Sequence, residues 1–347
     1  MSRAAPAVDA IVADVHDLIG VSVETIEPVR SGRNSRVFRV AAGGECYAFK
    51  QYPAAGDDTR DRLGTEIEAL RLMQRLGVAN VPHVIAADPV RRCSLLSWID
   101  GAPVTDVLDA DIDAAATFLA TLHAMRLDPA GRAFRRPASE ACLSGREVET
   151  QIRRRLEALR LRGAADPDLA RFLETLFAPA LETLLSRAAR DMAAAGLDFT
   201  RLLPHEQQSL VPSDFGFHNC LRRADGTLAF LDFEYFGWDD PVKLVADVLH
   251  HPGTPLAPRH ASRFRAAAVA VYGGNGDGFA ARLRALYPLF GLRWVLILLN
   301  EFLPDRWRQR VVAGEAEPWA QAKARQLARA SELFARLAPI EEHAVHG

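Results

Sequence analysis

The sequence predicts an α+β chain in two parts. Residues 1–99 read as a small antiparallel sheet with one main helix, and residues 100–347 as a larger, mostly helical segment. Three observations predict this. Short alternating apolar runs cluster before residue 100, and helical apolar spacing dominates after it. Between them, Asp100-Gly101-Ala102-Pro103 interrupts both patterns and marks a hinge. At 347 residues the chain is long for one core, which suits such a division.

The elements follow in order. Ile11, Val12, Val15, Leu18 and Ile19 fall at helical spacing over 8–19. Strand patterns cover 23–29, 36–41 and 46–52, with Gly43-Gly44 as the hairpin turn between the last two. A helix over 59–76 carries Leu63, Ile67, Leu70 and Leu76 on one face, and Gly77 ends it. Strands over 83–87 and 93–99 complete a β-β-β-α-β-β order. Beyond the hinge, helices are predicted over 111–125, 147–161, 167–195 with a break near Pro179, 261–271, 280–303 and 321–337. Two short strands, 220–223 and 228–233, flank an Asp225-Gly226 turn inside this helical half.

Composition narrows the function classes. A formal net charge of −2 gives no global basic field, so no nucleic-acid partner is expected. Cys46, Cys93, Cys142 and Cys220 are scattered without a Cys-x-x-Cys pair, which fits buried thiols in a reducing cytosol. The first nine residues hold no apolar run of the signal-peptide type, and the apolar run 294–303 is too short to span a bilayer. A cytoplasmic protein without a membrane partner is the expectation.

The chemistry concentrates in Pro212-Ser213-Asp214-Phe215-Gly216-Phe217-His218-Asn219 and the following Leu231-Asp232-Phe233-Glu234. An Asp and an Asn lie five apart, and a second Asp ends an apolar strand. Kinase-type phosphoryl transfer requires this set: a carboxylate facing the acceptor hydroxyl, then an amide oxygen and a carboxylate on Mg2+. Only Lys50, Lys243 and Lys323 are lysines, and Lys50 ends the third strand, where a phosphate-binding lysine belongs. Its acidic partner belongs on the next helix; Glu66 and Glu68 both qualify, and Glu66, beside Ile67, is preferred.

These residues resemble the aminoglycoside phosphotransferase and choline kinase-like family, relatives of the protein kinases. That family's catalytic loop reads His-Gly-Asp-x-His-x-x-Asn and its metal strand Ile-Asp-Trp/Phe-Glu, followed by Gly-Asp-Pro; here Asp239-Asp240-Pro241 follows. Phe118-Leu119-Ala120-Thr121-Leu122-His123 resembles the family's Leu-Ala-x-Leu-His helix. The resemblance implies a bilobal protein-kinase-like fold with Mg-ATP between the lobes, GTP not being excluded. It implies transfer of the γ-phosphate to a small-molecule hydroxyl: a sugar, amino sugar, amino alcohol or antibiotic. Asp214 would be the catalytic base, Asn219 and Asp232 the Mg2+ ligands, and Lys50, paired with Glu66, the contact to the α- and β-phosphates. The loop 31–36, with Ser35, would cover the phosphates. Ser97, Trp98 and Ile99 would hold adenine.

The chain departs from the pattern in places. Pro212 and Ser213 replace the His and Gly before the catalytic Asp, and Gly216 replaces the His after it, while a His stands at His218. Leu244 occupies the position of a family Asp, and Asp247 lies one turn later. Glu234 suits a second metal, a backbone amide or an exposed structural role, and Asn300-Glu301 suits substrate or a helix–helix hydrogen bond. Two other functions use the same site: a nucleotide-binding pseudokinase, and an enzyme that transfers AMP to a protein.

Overall fold

The computed structural model describes residues 8–29, 35–53, 60–163, 165–274, 278–312 and 317–337. It is a mixed α+β chain with a five-stranded antiparallel sheet and a larger, mostly helical remainder. The chain separates into two compact units. One comprises Met1–Ser139, Ser209–Trp238 and Pro258–Phe264, the other Glu140–Gln208, Asp239–Ala257 and Arg265–Gly347.

The first unit begins with helix α1 (Val8–Ile19) and strands β1 (Val23–Val29), β2 (Arg36–Ala42) and β3 (Glu45–Gln51). Helix α2 (Arg62–Arg75) and strands β4 (Val84–Asp88) and β5 (Cys93–Ser97) follow. The sheet order is β1-β2-β3-β5-β4. Gly43 and Gly44 both take positive φ, 61° and 79°, as a two-residue turn whose twist matches the flanking strands requires. Strand alternation then divides β3 between two faces. Phe49 is fully buried with Ile11 and Val15 of α1, while the next residue, Lys50, reaches Glu66 of α2.

Helix α2 starts later than the apolar pattern suggests. Asp61 is its N-cap and accepts from the Gly64 amide at 3.0 Å. A Cβ at Gly64 would lie 2.1 Å from Asp61 Oδ2, so this close cap needs glycine there. At the other end the Val78 amide donates to Met73 O and the Gly77 amide to Gln74 O, with Gly77 at φ 75°. That is the Schellman arrangement, and it satisfies carbonyls the helix leaves open.

The residues read as a hinge contain a short strand, β6 (Ala102–Pro103), followed by helices α3 (Asp109–Met125) and α4 (Pro129–Ala133). Strands β7 (Ser209–Val211), β8 (Cys220–Arg222) and β9 (Leu228–Phe230) complete this unit's strands up to Leu231–Glu234. A second sheet has the order β6-β8-β9, with Pro103 on its edge, where a missing N–H costs nothing. β9 stops at Phe230 instead of continuing to Phe233, because Asp232 turns to φ 65°. Beneath this turn lies an aromatic core. Phe118 of α3, 2% exposed, stacks on Phe230 with ring centroids 4.1 Å apart and touches Phe215 and Phe233 at 6.0 and 6.2 Å.

The second unit is helical: α5 (Gly145–Gly163), α6 (Pro167–Arg171), α7 (Ala178–Ala194), α8 (Pro241–His250), the later part of α9 (Pro258–Tyr272), α10 (Phe279–Leu298), α11 (Pro304–Val312) and α12 (Trp319–Leu337). α10 is its central element, packed on α5, α7, α8 and α12. Leu289, Leu292, Val295 and Leu296 are fully buried there. The run Phe279–Phe302 is long and apolar enough to cross a membrane, with mean hydropathy 1.3, but 67% of its most apolar window is buried in the protein. The break expected near Pro179 is a π-helical stretch, Phe172–Phe177, leading straight into α7. The Ala178 amide donates to Leu173 O, and the wider turn admits Pro179 at the start of α7 without ending the helix.

Candidate active site

Lys50 is the penultimate residue of β3, the middle strand of the sheet, paired across it with Val37 and Ser94. It is 6% exposed. A buried ammonium needs partners, and three carboxylates supply them. Lys50 Nζ lies 2.7 Å from Glu66 Oε2, 2.7 Å from Asp232 Oδ1 and 3.4 Å from Glu234 Oε2. Of the two acids considered on α2, Glu66 makes this contact; Glu68 instead pairs with Arg136 at 2.6 Å near the surface.

Glu66 does more than pair with Lys50. Its Oε1 accepts from the Phe233 amide at 3.1 Å, and its Oε2 accepts from the Tyr52 hydroxyl, which also lies 3.2 Å from Ser94 Oγ. Helix α2 is thus bonded both to β3 and to the backbone beside Asp232. Glu234 accepts from Arg62 Nη1 at 2.7 Å on one oxygen and from Ser35 Oγ at 2.8 Å on the other. Arg62 and Tyr52 escaped the sequence reading. Their signal was positional: Arg62 lies four residues before Glu66 on the same helix face, and Tyr52 two after Lys50 on the same strand side.

The electrostatics follow from the census. Three carboxylates face the two cations Lys50 and Arg62, so this cluster carries one surplus negative charge. Desolvation pulls the Lys50 pKa down, but Asp232 and Glu66 outweigh it and hold it well above the ordinary value. Desolvation pushes Glu234 up, yet Lys50 and Arg62 prevail and lower it. Asp232 bears the surplus: desolvation, with Glu234 and Glu66 adding to it, raises its carboxyl to about 7 against the pull of Lys50. Both members of the Lys50–Asp232 pair therefore hold protons more tightly than usual. A divalent cation beside Asp232 would relieve that strain.

The catalytic-type loop lies against the same strand. Antiparallel pairing of Cys220 with Phe230 continues in a bond from the Leu231 amide to Asn219 O at 2.9 Å, which brings Asn219 beside the Asp232 turn. Asn219 Nδ2 donates to the Asp214 carbonyl at 2.9 Å, leaving Oδ1 as its acceptor atom. Asp232 keeps 30% of its side-chain surface. One amide oxygen and one partly open carboxylate are hard oxygen donors, and the donor set fits Mg2+.

Asp214 follows Ser213, whose φ is 66° and whose Oγ donates to Ser139 O at 3.0 Å. The unusual backbone angle before the key carboxylate is held by that bond. His218 Nε2 lies 3.3 Å from Asp214 Oδ1, a contact absent from the sequence reading.

Ser97 ends β5 opposite Tyr47, three residues beyond the Ser94–Lys50 pair, and Trp98 and Ile99 follow outside the strand, which stops two residues short of the expected end. Ser97 exchanges hydrogen bonds with His83, Trp98 Nε1 donates to Asp100 at 2.9 Å, and Arg39 lies 5.5 Å over the Trp98 ring. Residues 31–34 of the loop expected over phosphate lie outside the described residues; Ser35 meets Glu234.

In the second unit Asp247 is not solvated. It accepts from Arg293 at 3.0 Å and from Trp294 Nε1 at 2.8 Å and lies 3.3 Å from Lys243. Glu301 is 5% exposed and pairs with Arg310 at 3.2 Å.

A lysine held by a helix glutamate, a carboxylate turn after a short strand and an Asp–Asn loop form a kinase-like arrangement. The chain belongs to the phosphotransferase enzyme family, whose model matches residues 25–278. Its fold is similar to that of a choline kinase from Streptococcus pneumoniae, at 15% identity and TM-score 0.56 over 94% of this chain and 98% of that one. It is similar to a choline/ethanolamine kinase family protein from Mesorhizobium loti, at 17% identity and TM-score 0.59 over 95% and 97%. A spectinomycin phosphotransferase solved with ADP and spectinomycin matches at 12% identity and TM-score 0.62 over 96% and 99%. No curated protein matches the chain in sequence.

Proposed function

We propose that this chain transfers the γ-phosphate of ATP to a hydroxyl of a small molecule, in the cytoplasm, with Mg2+ as the metal. The observation that carries the reading is the Lys50 cluster: a buried ammonium bonded to Glu66 of α2 and to Asp232, in the turn after β9, where the adjacent Leu231 amide bonds Asn219 O. Residues 1–99 would form the nucleotide lobe and residues 100–347 the catalytic and acceptor lobe. Lys50 would hold the α- and β-phosphates with Glu66 fixing its reach, and Ser97, Trp98 and Ile99 would line the adenine side. Asn219 and Asp232 would hold Mg2+, which when bound neutralises developing charge on the phosphates. Asp214 would accept the hydrogen bond of the acceptor hydroxyl and orient it for attack. Positioning and charge neutralisation account for catalysis, with no covalent enzyme intermediate.

The acceptor is a sugar, an amino sugar, an amino alcohol or an antibiotic. The test is Asp214→Ala, scored for nucleotide binding and for phosphate transfer over a panel of these acceptors. Binding should persist and transfer should vanish. Undiminished transfer by the variant refutes the assignment of Asp214, and a mass gain of adenylate instead of phosphate refutes the chemistry.

A further inference from the structure

Glu234 is 2% exposed, yet it is not one of the groups the proposed reaction needs. Its two oxygens are divided among three elements. Oε1 takes Arg62 of α2 at 2.7 Å, while Oε2 takes Ser35 at 2.8 Å and lies 3.4 Å from Lys50 of β3. Arg62 is itself 5% exposed, and its guanidinium lies 5.1 Å over the Tyr235 ring, so it is fixed on two sides. Arg62 and Glu66 are one turn apart on α2. The helix is therefore tied twice to the segment 232–234: by Glu66 to the Phe233 amide and by Arg62 to the Glu234 carboxylate. The first tie holds Lys50 directly at 2.7 Å; the second approaches it only through the other Glu234 oxygen, at 3.4 Å.

We propose that Glu234 is a positioning residue: with Arg62 it forms a second latch that holds α2, and hence Glu66, in register with Lys50, and it tethers the start of β2 through Ser35. The proposal rests on the phosphotransferase reading for its consequence in catalysis, but the latch itself is a property of the fold. It separates Glu234 from the alternative role of metal ligand. A carboxylate already shared by a guanidinium and a hydroxyl would have to surrender a buried, charge-assisted bond to reach a cation. Glu234 and the metal-side Asp232 thus divide the labour of their motif: one holds the helix, and the other faces the cation.

A double-mutant cycle tests this on the full chain: Glu234→Gln, Arg62→Met and both together. Three quantities are read: amide hydrogen exchange over α2, the Kd for Mg-ATP, and the free Mg2+ giving half-maximal nucleotide binding. Each single variant should speed α2 exchange and weaken Mg-ATP by about tenfold, the usual size of coupling between groups in contact. The double variant should be little worse than either single one, because each change breaks the same bond. The Mg2+ half-saturation should stay within about twofold of wild type. Additive effects on α2 exchange overturn the latch, as does a rise in the Mg2+ requirement confined to Glu234→Gln. If Arg62→Met does not fold, Arg62→Lys takes its place, keeping the charge while losing the reach. Wild-type protein that binds no nucleotide refutes the proposed function; α2 exchange still decides the latch in that case.

Discussion

Replacing Phe118 by alanine probes how packing is converted into a working site. Phe118 lies on α3, yet its ring stacks on Phe230 of β9 at 4.1 Å and contacts Phe215 beside Asp214 and Phe233 beside Asp232. The side chain is 2% exposed, so its removal opens a cavity that only partial collapse can fill. Burial and cavity terms for Phe→Ala amount to about 3–5 kcal/mol, of which ring stacking is about 1 kcal/mol. At roughly 2–4 °C per kcal/mol for a unit of this size, the melting temperature of the unit should fall by about 6–20 °C. Phe118→Leu keeps most of the volume and should lose about a third as much. The second consequence is functional. Both the loop proposed to be catalytic and the turn proposed to hold the metal lean on this ring, so Mg-ATP affinity should fall in the folded Ala variant at low temperature. The assay is thermal melting beside calorimetric titration of Mg-ATP at about 10 °C. A loss under about 1 kcal/mol, or full destabilisation with unchanged Mg-ATP affinity, refutes the reasoning.

Other perturbations have defined outcomes. Glu66→Gln removes the charge facing Lys50 but keeps an acceptor for the Phe233 amide; kcat/KM for Mg-ATP should fall by roughly tenfold to a hundredfold, the worth of a hydrogen bond to a charged group. Unchanged steady-state kinetics would remove Glu66 from the site. His250 is buried at the end of α8, 3.0 Å from Tyr287 O and stacked on the Tyr287 ring at 4.1 Å. Burial pushes its pKa down to about 4, with the Tyr287 carbonyl opposing. A histidine depressed on folding contributes stability that is complete above its unfolded value near 6.5 and lost as pH falls through about 4. The wild type should therefore lose about 3 kcal/mol more than His250→Gln between pH 7 and pH 4 in denaturant melts. Parallel pH curves for the two proteins would contradict it. Desolvation pushes Glu140 up, but Arg155 and Arg293 prevail and hold it down to about 2; its contribution, lost as pH falls from its unfolded value near 4.5, is common to both proteins and cancels in the comparison.

Much of this architecture was legible because its signals are local. The apolar spacing of Ile11 and Val15 marks α1 from Val8 to Ile19, and Gly43-Gly44 marks the hairpin. The Asp214, Asn219 and Asp232 spacing was readable because a short loop and two adjacent strands bring those residues together. What the sequence hid is long-range or geometric. The Arg62–Glu234 pair joins residues 172 apart, and nothing in either neighbourhood names the other. β7, at three residues, is shorter than any alternation pattern can reveal. The apolar run 228–233 continues past Phe230, but the turn at Asp232 ends the strand, a backbone choice that composition does not encode. Pro179 looked like a break because a helix of uniform pitch would have to end there; the π-helical turn before it removes that need.

The most direct test of the central claim is calorimetric titration of ATP and GTP into the wild type and Asp232→Ala, each with and without Mg2+. The account predicts Mg2+-dependent nucleotide binding by the wild type, its loss in the variant, and retention of the variant's fold. Equal binding by both proteins with and without Mg2+, or no nucleotide binding by the wild type, would contradict it.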